Sequence, residues 1–128
     1  MAFSSFYPPK AAEAEIKVYF NSDFGADYDA ATWGAAVCED NQAHVARARA
    51  LGLKTISIAN GLFLPFLRTP LMGVNGSEWQ ITDDGDARLA VADLYDTGRY
   101  TLRAAILAFQ DPSGVPDRLR VYSDMKTL

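Results

Sequence analysis

Cysteine and histidine are almost absent: the 128-residue chain has one of each, Cys38 and His44. A lone cysteine excludes an intrachain disulfide. With no CxxC pair and no Cys/His cluster, the spacing gives no support for a structural zinc site, and a reducing cytosol suits such cysteine usage. Lysine is scarce, limited to Lys10, Lys17, Lys54 and Lys126. Nowhere do about 18 apolar residues run together, the length that a membrane span needs. The opening MAFSSFYPPKAAEAEIK has neither a basic leader nor an uninterrupted apolar stretch, so neither secretion nor membrane spanning is indicated. The expectation is a soluble cytoplasmic protein without a membrane partner. Positive charge is also in deficit, with sixteen acidic residues against twelve Lys and Arg and a formal charge of −4. That balance opposes the counterion release by which proteins hold phosphate backbones, so nucleic acid is not an expected partner. No G-x-S-x-G elbow occurs and Cys38 has no obvious activating neighbour, which removes the usual signatures of nucleophilic catalysis.

What is present is the makeup of one globular domain spanning residues 1–128, 49% hydrophobic and 22% charged. A chain of this size buries roughly two thirds of the surface that it exposes when unfolded. IKVYF, residues 16–20, is rich in β-branched and aromatic residues and stops at the polar loop NSDFGADYD, which predicts a short buried strand. Residues 40–51 space Ala43, Val45, Ala46, Ala50 and Leu51 along a helix, with Asp40 as the expected cap and Gly52 as the expected end. KTISIAN, residues 54–60, alternates into a second strand. Strand, helix and strand with short joints predict a parallel βαβ unit. Gly61 then opens the bulky apolar segment LFLPFL, interrupted by Pro65.

Residues 68–85 are glycine-rich and irregular, with Trp79 and Ile81 as strand candidates and Asn75-Gly76-Ser77 as a turn. Residues 88–94 predict a third strand. Asp96 is the expected cap of a second helix with an apolar stripe of Tyr100, Ala104, Leu107 and Ala108. RLRVYS, residues 118–123, predicts a last strand. The fold class is therefore α/β: a mainly parallel sheet flanked by helices.

Several of these segments together, in order, resemble the NmrA-like and isoflavone-reductase-like branch of the short-chain dehydrogenase superfamily over residues 12–127. Val18-Tyr19-Phe20-Asn21-Ser22-Asp23-Phe24-Gly25 resembles the family's strand ending in a Pro-Ser-Asp/Glu-Phe-Gly loop, with Asn21 where proline is usual. Ile58-Ala59-Asn60-Gly61-Leu62-Phe63 is similar to its sixth strand and Gly-x-Phe ending. Asp84-Gly85-Asp86 and Asp96-Thr97-Gly98-Arg99-Tyr100 resemble its glycine turn and its Asp-Ile-Gly helix start, and residues 118–124 resemble the late strand that follows. The resemblance implies a truncated Rossmann-like fold.

The departures bear on function. Family members begin with a βαβ unit whose Gly-x-x-Gly-x-x-Gly loop lets backbone N–H groups approach a cofactor pyrophosphate, and residues 1–15 contain no such loop. Where reductases of the family carry a working helix lysine three residues before Val or Ile, Gln42 precedes Val45. Glutamine donates a hydrogen bond but does not titrate. The wider superfamily's Tyr-x-x-x-Lys also fails, since Tyr28, Tyr95 and Tyr100 are followed four residues on by Thr32, Arg99 and Ala104. The family's closing helices are missing as well. The expectation is no nicotinamide cofactor.

Ser22 and Asp23 lie just beyond the carboxyl end of a predicted parallel strand, where open α/β sheets place ligands; the alternative is that they hydrogen-bond the following turn. Asp23 is a candidate proton acceptor and Tyr28 a candidate donor to a developing oxyanion. Asp23, Asp27 and Asp29 crowd one loop without EF-hand spacing, and Asp83, Asp84 and Asp86 crowd a turn, so solvated loops are expected rather than cation sites. His44 is either a surface helix residue or a candidate acid or base. Phe63, Phe66, Leu67, Leu71, Met72 and Trp79 can line a pocket together with Ser22 and Gln42, or can serve as core or an oligomer contact. Three functions stay open: a cofactor-independent protein that binds, isomerises or cyclises an apolar or aromatic metabolite; a non-catalytic interaction protein pairing with itself or a full-length relative; and residual NAD(P)-dependent reduction. An unpaired sheet edge and uncovered apolar surface predict a homo-oligomer, most simply a dimer.

Overall fold

The computed structural model describes residues 7–21, 23–28, 36–80, 84–86 and 88–127; the side chains of Tyr7, Leu71 and Trp79 are also outside that description. In chain order the elements are α1 (Tyr7–Glu13), β1 (Val18–Asn21), α2 (Ala36–Ala50), β2 (Lys54–Ala59), β3 (Leu62–Phe63), β4 (Val74–Asn75), β5 (Glu78–Trp79), β6 (Leu89–Ala92), α3 (Leu94–Gln110), β7 (Arg118–Arg120) and β8 (Asp124–Lys126). Short 3-10 turns occupy Leu64–Arg68, Pro70–Met72 and Pro112–Gly114.

The predicted βαβ unit is present. β1 and β2 pair in parallel from Val18 opposite Lys54 to Asn21 opposite Ser57, and β2 pairs in parallel with β7, giving the order β1-β2-β7. Because side chains alternate along a strand, this register sorts them by face. Val18, Phe20, Ile56, Ile58 and Leu119 share one face. Tyr19, Asn21, Thr55, Ser57, Arg118 and Arg120 share the other.

α3 covers the first face: Ala108 and Val115 pack with Ile56 and Ile58, flanked by Val18, Phe20, Leu119 and Val121. Each isoleucine so buried contributes about 1.5–3 kcal/mol. α2 and α1 cover the second face, where Ala11, Ala48 and Leu53 close around Tyr19.

Helix ends differ from the sequence expectations in instructive ways. α2 already includes Ala36-Val37-Cys38-Glu39, a turn before the expected cap Asp40. It ends as expected at Gly52, whose φ of +81° suits the left-handed position. There Leu53 N–H donates to Ala48 O and Gly52 N–H to Arg49 O, the bond pair of a Schellman motif.

α3 is capped by Asp93 instead of Asp96. Its carboxylate accepts from the N–H groups of Tyr95 at 2.7 Å and Asp96 at 3.3 Å, since the helix starts directly at the end of β6. Of the expected α3 stripe, Ala104 and Ala108 are buried with Thr97, whereas Tyr100 and Leu107 are exposed. α1 forms in a segment to which periodicity assigned nothing. Pro8 and Pro9 occupy its first turn, where the missing N–H groups have no intrahelical role.

A second sheet has the order β3-β6-β8, parallel between β3 and β6 and antiparallel between β6 and β8. The expected last strand, residues 118–123, divides between the two sheets. Residues 118–120 pair with β2, after which Ser123 N–H donates to Val91 O and β8 joins β6. Within the irregular stretch, β4 and β5 form a hairpin across Gly76-Ser77, with Gly76 at φ +62° in the first loop position as in a type II′ turn. Ile81 lies outside the described residues. Among the described residues no helix is long and apolar enough to cross a membrane.

The two sheets meet at Gly61. Its φ is +73°, and a Cβ there would stand 2.8 Å from Ala90 Cβ and closer still to the Ala90 carbonyl oxygen. Gly52 is equally left-handed, but a Cβ there meets nothing within 4 Å. Gly61→Ala is expected to cost about 3 kcal/mol or more, combining backbone strain with steric conflict, against about 1–2 kcal/mol for Gly52→Ala. Urea denaturation midpoints of the two variants test this; equal losses would show that the contact with Ala90 relaxes freely.

Candidate functional site

The loop of residues 23–28, at the carboxyl end of β1, is held from three directions. Asn21, buried at the end of β1, donates its Nδ2 hydrogens to Asn41 Oδ1 at 2.7 Å and to the Asp23 carboxylate. Gly25 O accepts from Asn60 N–H at 3.1 Å and Gly61 N–H at 2.9 Å. Gln42 Nε2 donates to Tyr28 O at 2.7 Å, tying the loop to α2. From β7, Arg120 reaches Asp27 Oδ2 through Nε at 2.8 Å and Nη2 at 2.7 Å, and Arg118 Nε stands 3.4 Å from Asp27 Oδ1.

On the α3 side of this loop lies an open apolar cleft of about 480 Å³. Phe24 from the loop and Phe63 from β3 form one wall. Leu94, Thr97, Gly98, Thr101, Leu102 and Ala105 of α3 form the other. The threonines add little polarity: Thr97 Oγ1 donates to Asp93 O and Thr101 Oγ1 to Thr97 O, so both hydroxyls are turned onto the helix backbone. Gly98 has open space where a Cβ would stand, which keeps this part of the helix surface low.

The sequence-predicted residues divide between the two sides of the first sheet. Asp23 is buried, with its carboxylate on Asn21; the Tyr28 hydroxyl stands 3.4 Å from where a Cβ on Gly25 would be. Gln42 is on α2, joined to Tyr28 through the backbone carbonyl of the latter. Phe63 lines the cleft on the α3 side, and the Phe66 ring lies 6.2 Å from it, centroid to centroid. Leu67 and Met72 are half-buried in the turns that follow. Ser22, Asp29, Asp83 and the Trp79 side chain lie outside the described residues.

His44 is half-buried, not a free surface residue. Its Nε2 is 2.9 Å from Tyr19 Oη at the α2 interface, and its Nδ1 is buried without a partner. Asp84 closes its turn by accepting from Asp86 N–H at 3.1 Å. Among the described residues no group of three or more His, Cys, Asp or Glu is placed to hold a metal ion. Among the described residues, Asp111 is pushed below the ordinary carboxylate range by hydrogen bonds from Ser113 and Asp124 by Lys126, and neither lines the cleft.

Sequence reasoning overlooked Phe24 and the α3 wall. The available signal was the row Leu94, Gly98, Leu102, Ala105 and Phe109, a second apolar stripe on a helix already assigned one. No protein-family model matches the chain, and no curated protein matches it either.

The ion pairs of Asp27 are partly solvated and worth about 1 kcal/mol or less each, so their effect should be local. In Asp27→Ala, the amides of Asn60 and Gly61 are expected to exchange hydrogen faster relative to the Ser57 amide, which donates to Asp117 O at 2.9 Å away from the loop. Exchange followed by NMR decides; unchanged ratios would show that the loop holds without the arginines.

Proposed function

We propose that the protein binds an apolar or aromatic small molecule in the cleft between residues 23–28, Phe63 and α3, without a nicotinamide cofactor. The observation that carries this is an open apolar volume at the carboxyl end of parallel strands, walled by two aromatic rings from separate elements. A flat aromatic ligand gains offset-stacked or edge-to-face contact with Phe24 and Phe63 as well as area burial. An ancestry among NmrA-like, Rossmann-like proteins is part of the proposal, supported by the βαβ unit and the parallel order β1-β2-β7. Isomerisation or cyclisation would call on Asp23 as proton acceptor and Tyr28 as donor, but neither lines the cleft, and the Asp23 carboxylate is held by Asn21, which also bonds Asn41 of α2. Both residues lie on the loop that also supplies Phe24.

Naphthalene titrated into the isotope-labelled protein is expected to shift the amides of Phe63, Gly98 and Thr101. Phe63→Ala is expected to weaken binding about tenfold, equivalent to ~1.4 kcal/mol. NADPH is expected to leave these amides unmoved. No response to naphthalene rules out the cleft, and a tight response to NADPH restores a reductase.

Self-association is favoured by a separate observation. Leu102, Phe109 and Tyr95 on α3 are 62%, 90% and 81% exposed, a concentration of large apolar residues unusual for a free surface. Among the described residues β1 stands at one end of the first sheet, with no strand on its outer side. Light scattering at high micromolar concentration is expected to give a dimer mass that Phe109→Glu returns to monomer. A monomeric wild-type protein would leave this surface to other partners.

A further inference from the structure

We infer that Asn60 is the polar recognition group of the cleft and selects ligands whose apolar body carries a head with adjacent donor and acceptor, such as a primary amide or lactam. The inference rests on the proposed ligand site and names the chemistry that site selects.

Asn60 is wholly buried, yet neither its Oδ1 nor its Nδ2 has a hydrogen-bond partner. A carboxamide offers two donors and an acceptor oxygen, and burying them unmatched is costly enough that native structures rarely do so without a reason. The backbone role of Asn60, donating its N–H to Gly25 O, is open to any residue except proline. An aliphatic side chain would fill the same place without the unpaired groups, so the amide itself needs an explanation.

Its location supplies one. Asn60 directly follows the end of β2, and one further step of that strand's alternation falls on the face of Ile56 and Ile58, which α3 covers with Ala108. α3 runs back over the sheet, because its late residues Ala105, Ala108 and Phe109 gather with Val18 and Phe20 while Thr97 and Thr101 face Phe24 and Phe63. The row therefore leads from the packed Ile56 and Ile58 toward the amino-terminal half of α3, where the cleft opens. Both aromatic walls are neighbours of Asn60: Phe24 precedes the glycine that accepts its N–H, and Phe63 follows three residues later.

Phe24 is 41% exposed. Asn60 is not itself part of the cleft's lining, and rotation of the Phe24 ring is what brings the head of a ligand stacked between Phe24 and Phe63 to the carboxamide. Oδ1 then accepts from the head and Nδ2 donates to it, so a matched amide forms two hydrogen bonds where none existed. Of the other buried groups without a partner, Ser57 Oγ is on the opposite face of β2, level with Asn21, and His44 Nδ1 is on α2.

The test compares 2-naphthamide, N,N-dimethyl-2-naphthamide and 2-methylnaphthalene by NMR titration of the wild-type protein and Asn60→Leu. Wild type is expected to prefer 2-naphthamide over 2-methylnaphthalene by at least about tenfold, with the dimethyl compound, which has lost its donors, in between. Asn60→Leu is expected to lose that order and to unfold no more easily than wild type, since it removes unpaired groups. Equal binding of all three compounds to the wild type overturns the role of Asn60 and leaves the cleft standing. Binding of none overturns both. The wild-type comparison decides even if the variant does not fold. A folded Asn60→Leu that keeps the preference shows that another group reads the head.

Discussion

Two backbone N–H groups converging on one carbonyl oxygen organise this protein. Asn60 and Gly61 both donate to Gly25 O, and just beyond the end of β2 the chain lies against β6 at Gly61. Only a residue without a Cβ permits the approach of position 61 to Ala90. The same few atoms therefore set where the first sheet stops, where the second begins, and how the loop after β1 crosses between them. The arginines of β7 and Gln42 of α2 hold that loop more weakly and from outside, through partly exposed groups. The aromatic wall of the cleft depends on this junction, because Phe24 is carried on the loop and Phe63 on the strand that follows Gly61.

The two faces of the first sheet follow different physics. Toward α2 the contacts are largely polar: Tyr19 with His44, Asn21 with Asn41 and Asp23, Arg49 with Thr55. Such pairs contribute modest net stability, since each replaces hydrogen bonds to water, but they penalise any shift of register that leaves one group unmatched. Toward α3 the contacts are aliphatic, and the apolar burial gathers around Ile56, Ile58 and Ala108. One face fixes position and the other supplies cohesion. The cleft opens on the cohesive side, so a ligand bound there extends the core and adds to the stability of the folded state.

The strands and helix ends that were legible in the sequence are those set by local chemistry: period-two alternation in residues 54–59, and Gly52 at a left-handed position. The less legible features depend on distant partners. Asp93 outranked Asp96 as a cap only because β6 delivers the chain directly into α3. α1 carries too little periodicity to register and gains its place from the contact of Ala11 with Ala48 and Leu53. β8 exists because the chain leaving β7 crosses to β6. For the site, Phe63 was visible as part of a bulky apolar run, whereas Asn60 looked like the end of a strand. The lack of a partner for its amide is a property of the assembled core and leaves no trace in spacing.

The size distribution on α3 ties the fold to its surface. The buried residues of α3 are small, Thr97, Ala104 and Ala108, while Leu94, Leu102, Ile106 and Phe109 are 43–90% exposed. Small residues let the helix axis approach the strands closely, which suits the compact side chains around Ile56 and Ile58. The large residues contribute nothing to that packing. They sit where burial would stabilise them and do not obtain it among the described residues, at a cost in exposed apolar area that an ordinary solvated helix avoids by carrying Lys and Glu there. Arg99 and Arg103 interrupt the row without dividing it. A helix built in this way has its inner face fitted to the fold and its outer face fitted to something else. The cleft at its amino-terminal half and the bare Phe109 at its other end are two parts of one surface suited to apolar contact.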